Sequence, residues 1–219
     1  TYHKQLLPNY EVFDEERYFD SGDVPCVVTI KGVRCGINIC ADIWEEGAAE
    51  AAHAAGAEVL LVLNASPYHL DKYEDRAAVL RRRIAATGMP AVYANLVGGQ
   101  DELVFDGGSF VLDSLGHETC RLPQFEEALG LVDISSGEPQ PGSKAPLLSI
   151  EAQVYAALVL GVRDYIGKNG FPGALIGLSG GIDSALTLAV AVDALGADKV
   201  RAVMMPSPYT ADISWIDAR

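Results

Sequence analysis

Positive charge is scarce in this chain. Sixteen Lys and Arg stand against thirty Asp and Glu, a formal net charge of −14 over 219 residues. Affinity for nucleic acid or an anionic membrane comes from clustered cations, so neither is expected as a partner. Backbone amides can still build a local phosphate site. Cysteine is sparse too: Cys26, Cys35, Cys40 and Cys120 are too few for a disulfide framework in a chain of this length. No CxxC spacing points to zinc or dithiol redox chemistry. No apolar run reaches the roughly 18 uncharged residues of a membrane span, and no charged-then-apolar leader opens the chain. A start methionine is also missing, and PSPYTADISWIDAR (206–219) stops inside a helical pattern, so the chain reads as an internal piece of a cytoplasmic enzyme.

What remains is rich in core-forming residues, 49% hydrophobic with 21% charged, enough for one large domain or parts of two at about 150 residues each. CVVTI (26–30) and VRCGINI (33–39), separated by Lys31-Gly32, read as a β-hairpin. Val33, Cys35, Ile37 and Ile39 alternate with Arg34, Gly36 and Asn38, the period of a half-buried strand. An Ala-rich helix over about 46–55, the strand 58–64, an amphipathic helix over 71–88 ending at Gly88 and the strand 90–96 follow. Two short strands flank FDGGSF (105–110). Such alternation predicts a layered α/β fold. SSGEPQPGSKAPLLS (135–149) has Pro, Gly and Ser without periodicity and is the best linker candidate. After it, a helix from Ser149, the strand ALIGL (174–178), a helix over about 183–195 and the strand 200–206 make a βαβ unit, the start of a second, parallel domain.

GLSGGIDS (177–184) lies between a predicted strand and a predicted helix. Gly180 and Gly181 allow a tight turn, Ser179 and Ser184 offer hydroxyl donors, and the helix start supplies the positive end of a dipole. The loop lacks the lysine of a Walker A motif and the spacing of a dinucleotide fingerprint. Asp183 is either a helix cap or a carboxylate set beside phosphates, where a hard cation such as Mg²⁺ would remove the repulsion. SGGIDS resembles the PP-loop of ATP pyrophosphatases.

Cys40 falls one residue beyond the strand 33–39, a place where α/β proteins put their chemistry. A nucleophile and a small apolar core residue are both open readings there. Cys26, Cys35 and Cys120 read as core or loop residues, and Lys4 by itself as a surface charge.

Together, YHKQLLPNYEVFDEERYF (2–19), GINICADIW (36–44), LNASPYHLDKYEDR (63–76) and GGQDELVFDGGS (98–109) resemble a nitrilase-like glutaminase domain. LSIEAQVYAALVLGVRDYIGKNGFPGALIGLSGGIDSAL (148–186) and MMPSPYTADIS (204–214) look like a PP-loop synthetase. Order and spacing match the family of bacterial glutamine-dependent NAD synthetases. The resemblance implies a nitrilase-like four-layer α-β-β-α sandwich over 1–140, a linker over 141–149 and the start of a parallel-sheet, adenine-nucleotide-hydrolase-like (PP-loop) domain over 150–219.

It further implies that Cys40 is the nucleophile toward the glutamine amide, Lys4 the oxyanion-stabilising cation and Glu15 a carboxylate that holds the lysine. The family's general-base glutamate precedes the lysine and so falls outside these residues. Tyr10, Ser66 and Lys72 match positions that hold glutamine. Gly177, Leu178, Ser179, Gly180, Gly181, Ile182, Asp183 and Ser184 match the ATP loop, with Asp183 as the Mg²⁺ ligand. Met205 and Pro206 fall at an adenine-contacting strand end, and SPYTADIS (207–214) resembles a loop that closes over ATP. The implied activity is ATP-dependent amidation of deamido-NAD to NAD with ammonia from glutamine, in a homo-oligomer. A GMP-synthetase-type ligase is the nearest rival, but its Cys–His–Glu amidotransferase has no counterpart among His3, His53, His69 and His117. A nitrilase-like amidase or binding scaffold is the other.

Overall fold

The turn between β1 (Cys26–Ile30) and β2 (Val33–Ile39) is closed by Lys31 and Gly32 at φ of 49° and 90°. Positive φ at both turn residues matches the right-handed twist of a hairpin. This computed structural model describes every residue except Glu11, Ser207 and Arg219. The chain divides into two units, Thr1–Val97 with Phe105–Leu147, and Gly98–Val104 with Leu148–Arg219.

In the first unit, β2 is followed by α1 (Ala48–Ala54), β3 (Val59–Asn64), α2 (Lys72–Thr87) and β4 (Ala91–Asn95). Then come β5 (Val97–Gln100), β6 (Leu103–Asp106), β7 (Phe110–Leu112) and β8 (Glu118–Arg121). Six strands form one sheet in the order β1-β2-β3-β4-β7-β8. β2, β3 and β4 run parallel, and the flanking pairs are antiparallel. Because β2, β3 and β4 lie side by side in chain order, right-handed crossovers put α1 and α2 on one face. The core there joins Ala49 and Ala52 of α1, Ala77, Leu80 and Ile84 of α2, Leu60 and Val62 of β3, Tyr93 of β4 and Phe110 and Leu112 of β7.

One expectation changes. The alternation in β2 follows an apolar-in pattern only at its start, with Arg34 exposed and Cys35 buried; beyond it Gly36 and Asn38 are buried, while Ile37 and Ile39 are only half-buried. Register places Gly36 and Asn38 on the same face as Leu60 and Val62, the helix-covered one. A Cβ on Gly36 would sit 3.0 Å from the Cβ atoms of both Ala52 and Ala57, so glycine lets α1 approach. The face of the sheet opposite the helices is apolar as well, with Val28, Ile30 and Leu63 38%, 49% and 52% exposed.

β9 (Ile134–Ser135) and β10 (Glu138–Pro139) form a small ribbon. The stretch expected as a linker from 141 is tethered in its first half: Gly142 N–H donates to Thr119 O, Arg121 N–H to Ser143 O and Ala145 N–H to Arg121 O.

The second unit holds α3 (Ile150–Lys168), β11 (Ala174–Gly177), α4 (Ile182–Leu195), β12 (Val200–Val203) and α5 (Asp212–Asp217). Ser149 Oγ caps α3 by accepting from Ala152 N–H at 3.3 Å. β11 and β12 pair in parallel, as a βαβ unit requires. The tip of the β5–β6 hairpin belongs to this unit. Gly99 N–H donates to Asp164 Oδ2 at 2.8 Å, and Lys168 Nζ donates to Gly99 O. No helix among the described residues is long and apolar enough to cross a membrane.

Candidate active site and phosphate loop

Cys40 opens a 3₁₀ turn, Cys40–Ile43, directly after β2, at φ of 46°. A non-glycine residue in left-handed backbone is uncommon and marks a sharp bend. The bend turns the thiol out of the sheet register to a half-buried position. Burial pushes the Cys40 thiol up. Lys4 opposes that rise, Glu15 adds to it, and Arg76 and Lys72 oppose it more weakly. Becoming a nucleophile therefore requires a proton acceptor and a cation to hold the thiolate.

The structure brings that cation into place. Lys4, Glu15 and Cys40 line one cavity of about 380 Å³, with Tyr2, Phe13, Ile39 and Ala65 also on its wall. Lys4 Nζ donates to both carboxylate oxygens of Glu15, at 2.7 and 2.5 Å, and both side chains are largely shielded. A shielded ion pair of this kind fixes the ammonium, whose remaining donor capacity suits an oxyanion.

Asp42, which the sequence reading did not single out, organises the turn. It is completely buried. Oδ1 accepts from the Gln5 and Leu6 N–H groups, and Oδ2 accepts from Ile39 N–H, all at 2.9 Å. Tyr2 OH also donates to Oδ2, at 2.7 Å. The available signal was a carboxylate two residues after a strand-end cysteine, too common to mark by itself.

The three residues matched to glutamine binding are differently placed. Tyr10 is exposed and packs edge-on against Phe13, a cavity-lining residue. Lys72 Nζ lies 4.4 Å from the centre of the Trp44 ring, a cation–π contact beside the cysteine turn. Ser66 is buried and its hydroxyl accepts from Arg76 Nε at 3.2 Å. Arg76 also donates to both oxygens of Asp106, at 2.8 and 3.0 Å, and to Ser66 O at 2.7 Å. Asn95 Oδ1 accepts from Ser66 N–H, and Asn95 Nδ2 donates to Gly107 O. Arg76, Asp106 and Asn95 thus fix the 64–67 loop that carries Ala65 to the cavity. Cys26, Cys35 and Cys120 are free thiols.

In the second unit, 177–184 forms the strand-to-helix turn that the glycines require. Gly180 has φ of 82°, and a Cβ there would lie 2.5 Å from Ser214 O. Ser184 Oγ donates to Gly181 O at 2.9 Å and accepts from Ser179 N–H at 3.2 Å. Ser179 Oγ accepts from Gly181 N–H at 3.3 Å. Gly181 is the helix N-cap, and Asp183 lies beyond it in the first turn. The cap reading of Asp183 is thereby overturned. Its carboxylate is exposed, and among the described residues no group of three or more His, Cys, Asp or Glu gathers as a metal site. One carboxylate still fits Mg²⁺ that keeps waters and takes its other ligands from phosphates. Gly177 lies against the Met205 side chain, 3.2 Å from a Cβ position to Met205 Cε. Ser207, the first residue of SPYTADIS, lies outside the described residues.

Comparison with known proteins finds two families along the chain. Residues 1–141 match the carbon-nitrogen hydrolase family, and residues 154–219 match NAD synthase. The chain is 46% identical over 220 residues to the glutamine-dependent NAD(+) synthetase of Acinetobacter baylyi, covering 100% of this chain and 41% of that protein. The solved glutamine-dependent NAD+ synthetase of Acinetobacter baumannii, in complex with ADP, superposes with a TM-score of 0.94 at 44% identity, over 99% of this chain and 42% of that one. A mutant amidase of Nesterenkonia sp. AN1, with the acetamide moiety of fluoroacetamide added covalently at its active site cysteine, matches 56% of this chain and 45% of its own with a TM-score of 0.50 and 30% identity. The chain thus spans about two fifths of the length of the synthetases it matches. It belongs to the carbon-nitrogen hydrolase family, with a nitrilase-like α/β fold followed by the start of an NAD synthase domain.

Proposed function

We propose that this chain carries the glutaminase site and the ATP phosphate loop of a glutamine-dependent NAD synthetase. Residues 1–140 supply the first, 141–149 the connection and 150–219 the start of the second. The observation that carries this reading is the shared cavity of Cys40, Lys4 and Glu15 in one unit, with a glycine–serine phosphate loop in the other.

The family's general-base glutamate takes the Cys40 proton and returns it to the departing nitrogen, while Cys40 Sγ attacks the side-chain carbonyl carbon of glutamine. Lys4 Nζ and a backbone amide after Cys40 hold the oxyanion, ammonia leaves with a thioester behind it, and water releases glutamate. Glu15 keeps the Lys4 ammonium aimed. Tyr10 and Lys72 hold the amino-acid end of glutamine, and Ser66 contributes by fixing Ala65 through its bond with Arg76. Ser179, Gly180, Gly181 and Ser184 bind ATP phosphates, and Asp183 is the residue suited to Mg²⁺. When bound, ATP and Mg²⁺ would supply activation of the deamido-NAD carboxylate as an adenylate with release of pyrophosphate, and ammonia would displace AMP to give the amide of NAD. A cytoplasmic homo-oligomer belongs to the same reading. Cys40→Ala in the complete protein should abolish glutamine-dependent NAD formation while ammonia-dependent formation persists. Equal loss with both nitrogen sources would refute a two-site enzyme.

A further inference from the structure

We propose that Asp42 is the positioning residue that sets Lys4 and Cys40 against each other, an inference that rests on the glutaminase reading above. Its two oxygens accept four hydrogen bonds, and their origins are specific. Tyr2 OH and the Gln5 and Leu6 amides come from the segment on either side of Lys4, and the Ile39 amide immediately precedes Cys40. The oxyanion cation and the nucleophile sit on segments far apart in sequence, and one buried carboxylate ties the backbone of both.

Every partner is a donor, so the tie needs an acceptor-only group. A carboxylate meets this demand with two oxygens, whereas an amide turns one of them into an N–H donor facing another donor. Donation by Tyr2 also leaves its phenol pushed above the ordinary range, through burial and through its bond to Asp42. The charged groups that act on Cys40 are Lys4 and Glu15 from the N-terminal segment and Arg76 and Lys72 from α2. Asp42 acts on where the Lys4 backbone runs, through the Gln5 and Leu6 amides beside it. An error of about 1 Å at a reacting pair can cost around 100-fold in rate.

The test is Asp42→Asn in the complete protein. Glutaminase kcat should fall by about 10- to 100-fold with KM changed less than about threefold, while ammonia-dependent NAD formation stays at the wild-type rate. The rate of iodoacetamide alkylation of Cys40, followed against pH, should shift its midpoint upward. The sign is discriminating. Removing a nearby negative charge would by itself lower a thiol midpoint, so an upward shift reports a displaced Lys4. A glutaminase kcat within twofold of wild type, or a midpoint that is unmoved or lowered, overturns the proposal. If Asp42→Asn fails to fold, Tyr2→Phe removes one of the four bonds from the same carboxylate; a smaller kcat loss with the same upward shift supports the proposal, and an unchanged enzyme overturns it. Wild-type protein without glutaminase activity would defeat the underlying reading, a result separate from either.

Discussion

A cysteine in left-handed backbone at the end of a parallel strand does not sit there for packing. Cys40 at φ of 46° accepts a conformation that costs roughly 1–3 kcal/mol for ordinary residues, and the return is a thiol turned into the cavity with Lys4. Lys4→Met should therefore act twice. It removes a charged oxyanion donor, and loss of one donor costs about 10²–10³ in rate. It also removes the charge that opposes the upward push on the thiol and leaves Glu15, which adds to that push, without its partner. Glutaminase turnover should drop by at least that factor, and the alkylation midpoint of Cys40 should move to higher pH. A variant with near-normal turnover would show that Lys4 does not hold the oxyanion. At this scale, the sequence pattern by itself left Cys40 open between nucleophile and core, and Lys4 invisible. Resemblance to a family put both in the site. Asp42 was legible to neither, because its importance lies in four donors converging in space and not in any spacing along the chain.

Elements were more readable than their faces. The strands and helices of both units lie close to their expected ranges, since caps, glycines and apolar periods act locally. Which face of β2 meets the helices did not follow, because the strand is buried on one side by α1 and apolar on the other, and alternation cannot separate two such faces. Gly36 and Asn38 occupy the helix side because α1 comes too close for larger residues. The β5–β6 hairpin was not foreseen; the sequence placed short strands only on either side of 105–110, where β6 and β7 lie. Its tip is held by Asp164 and Lys168, about 65 residues later, a separation at which no local signal operates. Arg76 belongs to this scale also, since it binds α2 to the 64–67 loop and to β6. Both Arg76 and Asp106 are about 1% exposed, and removal of one partner strands a buried charge at a cost of about 3–5 kcal/mol. Arg76→Met should lower the stability of the first unit by that amount in urea denaturation and loosen the wall that Ala65 provides. A loss below 1 kcal/mol would mean that water reaches Asp106 in the variant.

For the whole molecule, the consequence of two separate units is that their chemistries should be separable by single substitutions, and Asp183 is the sharpest case. It stands in the first turn of α4, after the Gly181 cap, with its carboxylate exposed. Near a helix N-terminus a carboxylate contributes about 0.3–1 kcal/mol of stability, so Asp183→Asn should fold almost as well as wild type. Beside ATP phosphates the same group matters far more, because two anions about 4 Å apart repel by about 4 kcal/mol at an effective dielectric near 20. A carboxylate placed there is useful only if a cation joins it to the phosphates, and Mg²⁺ suits a site of one carboxylate, phosphate oxygens and retained water. Asp183→Asn should thus raise the Mg²⁺ concentration needed for half-maximal synthesis and slow NAD formation with glutamine and with ammonia alike. Glutamine hydrolysis by itself should change much less, since Cys40, Lys4 and Glu15 share a cavity in the other unit. Steady-state rates against Mg²⁺ with each nitrogen source, together with glutamate release, measure all three. Unchanged ATP use and Mg²⁺ dependence would show that Asp183 serves only the helix dipole.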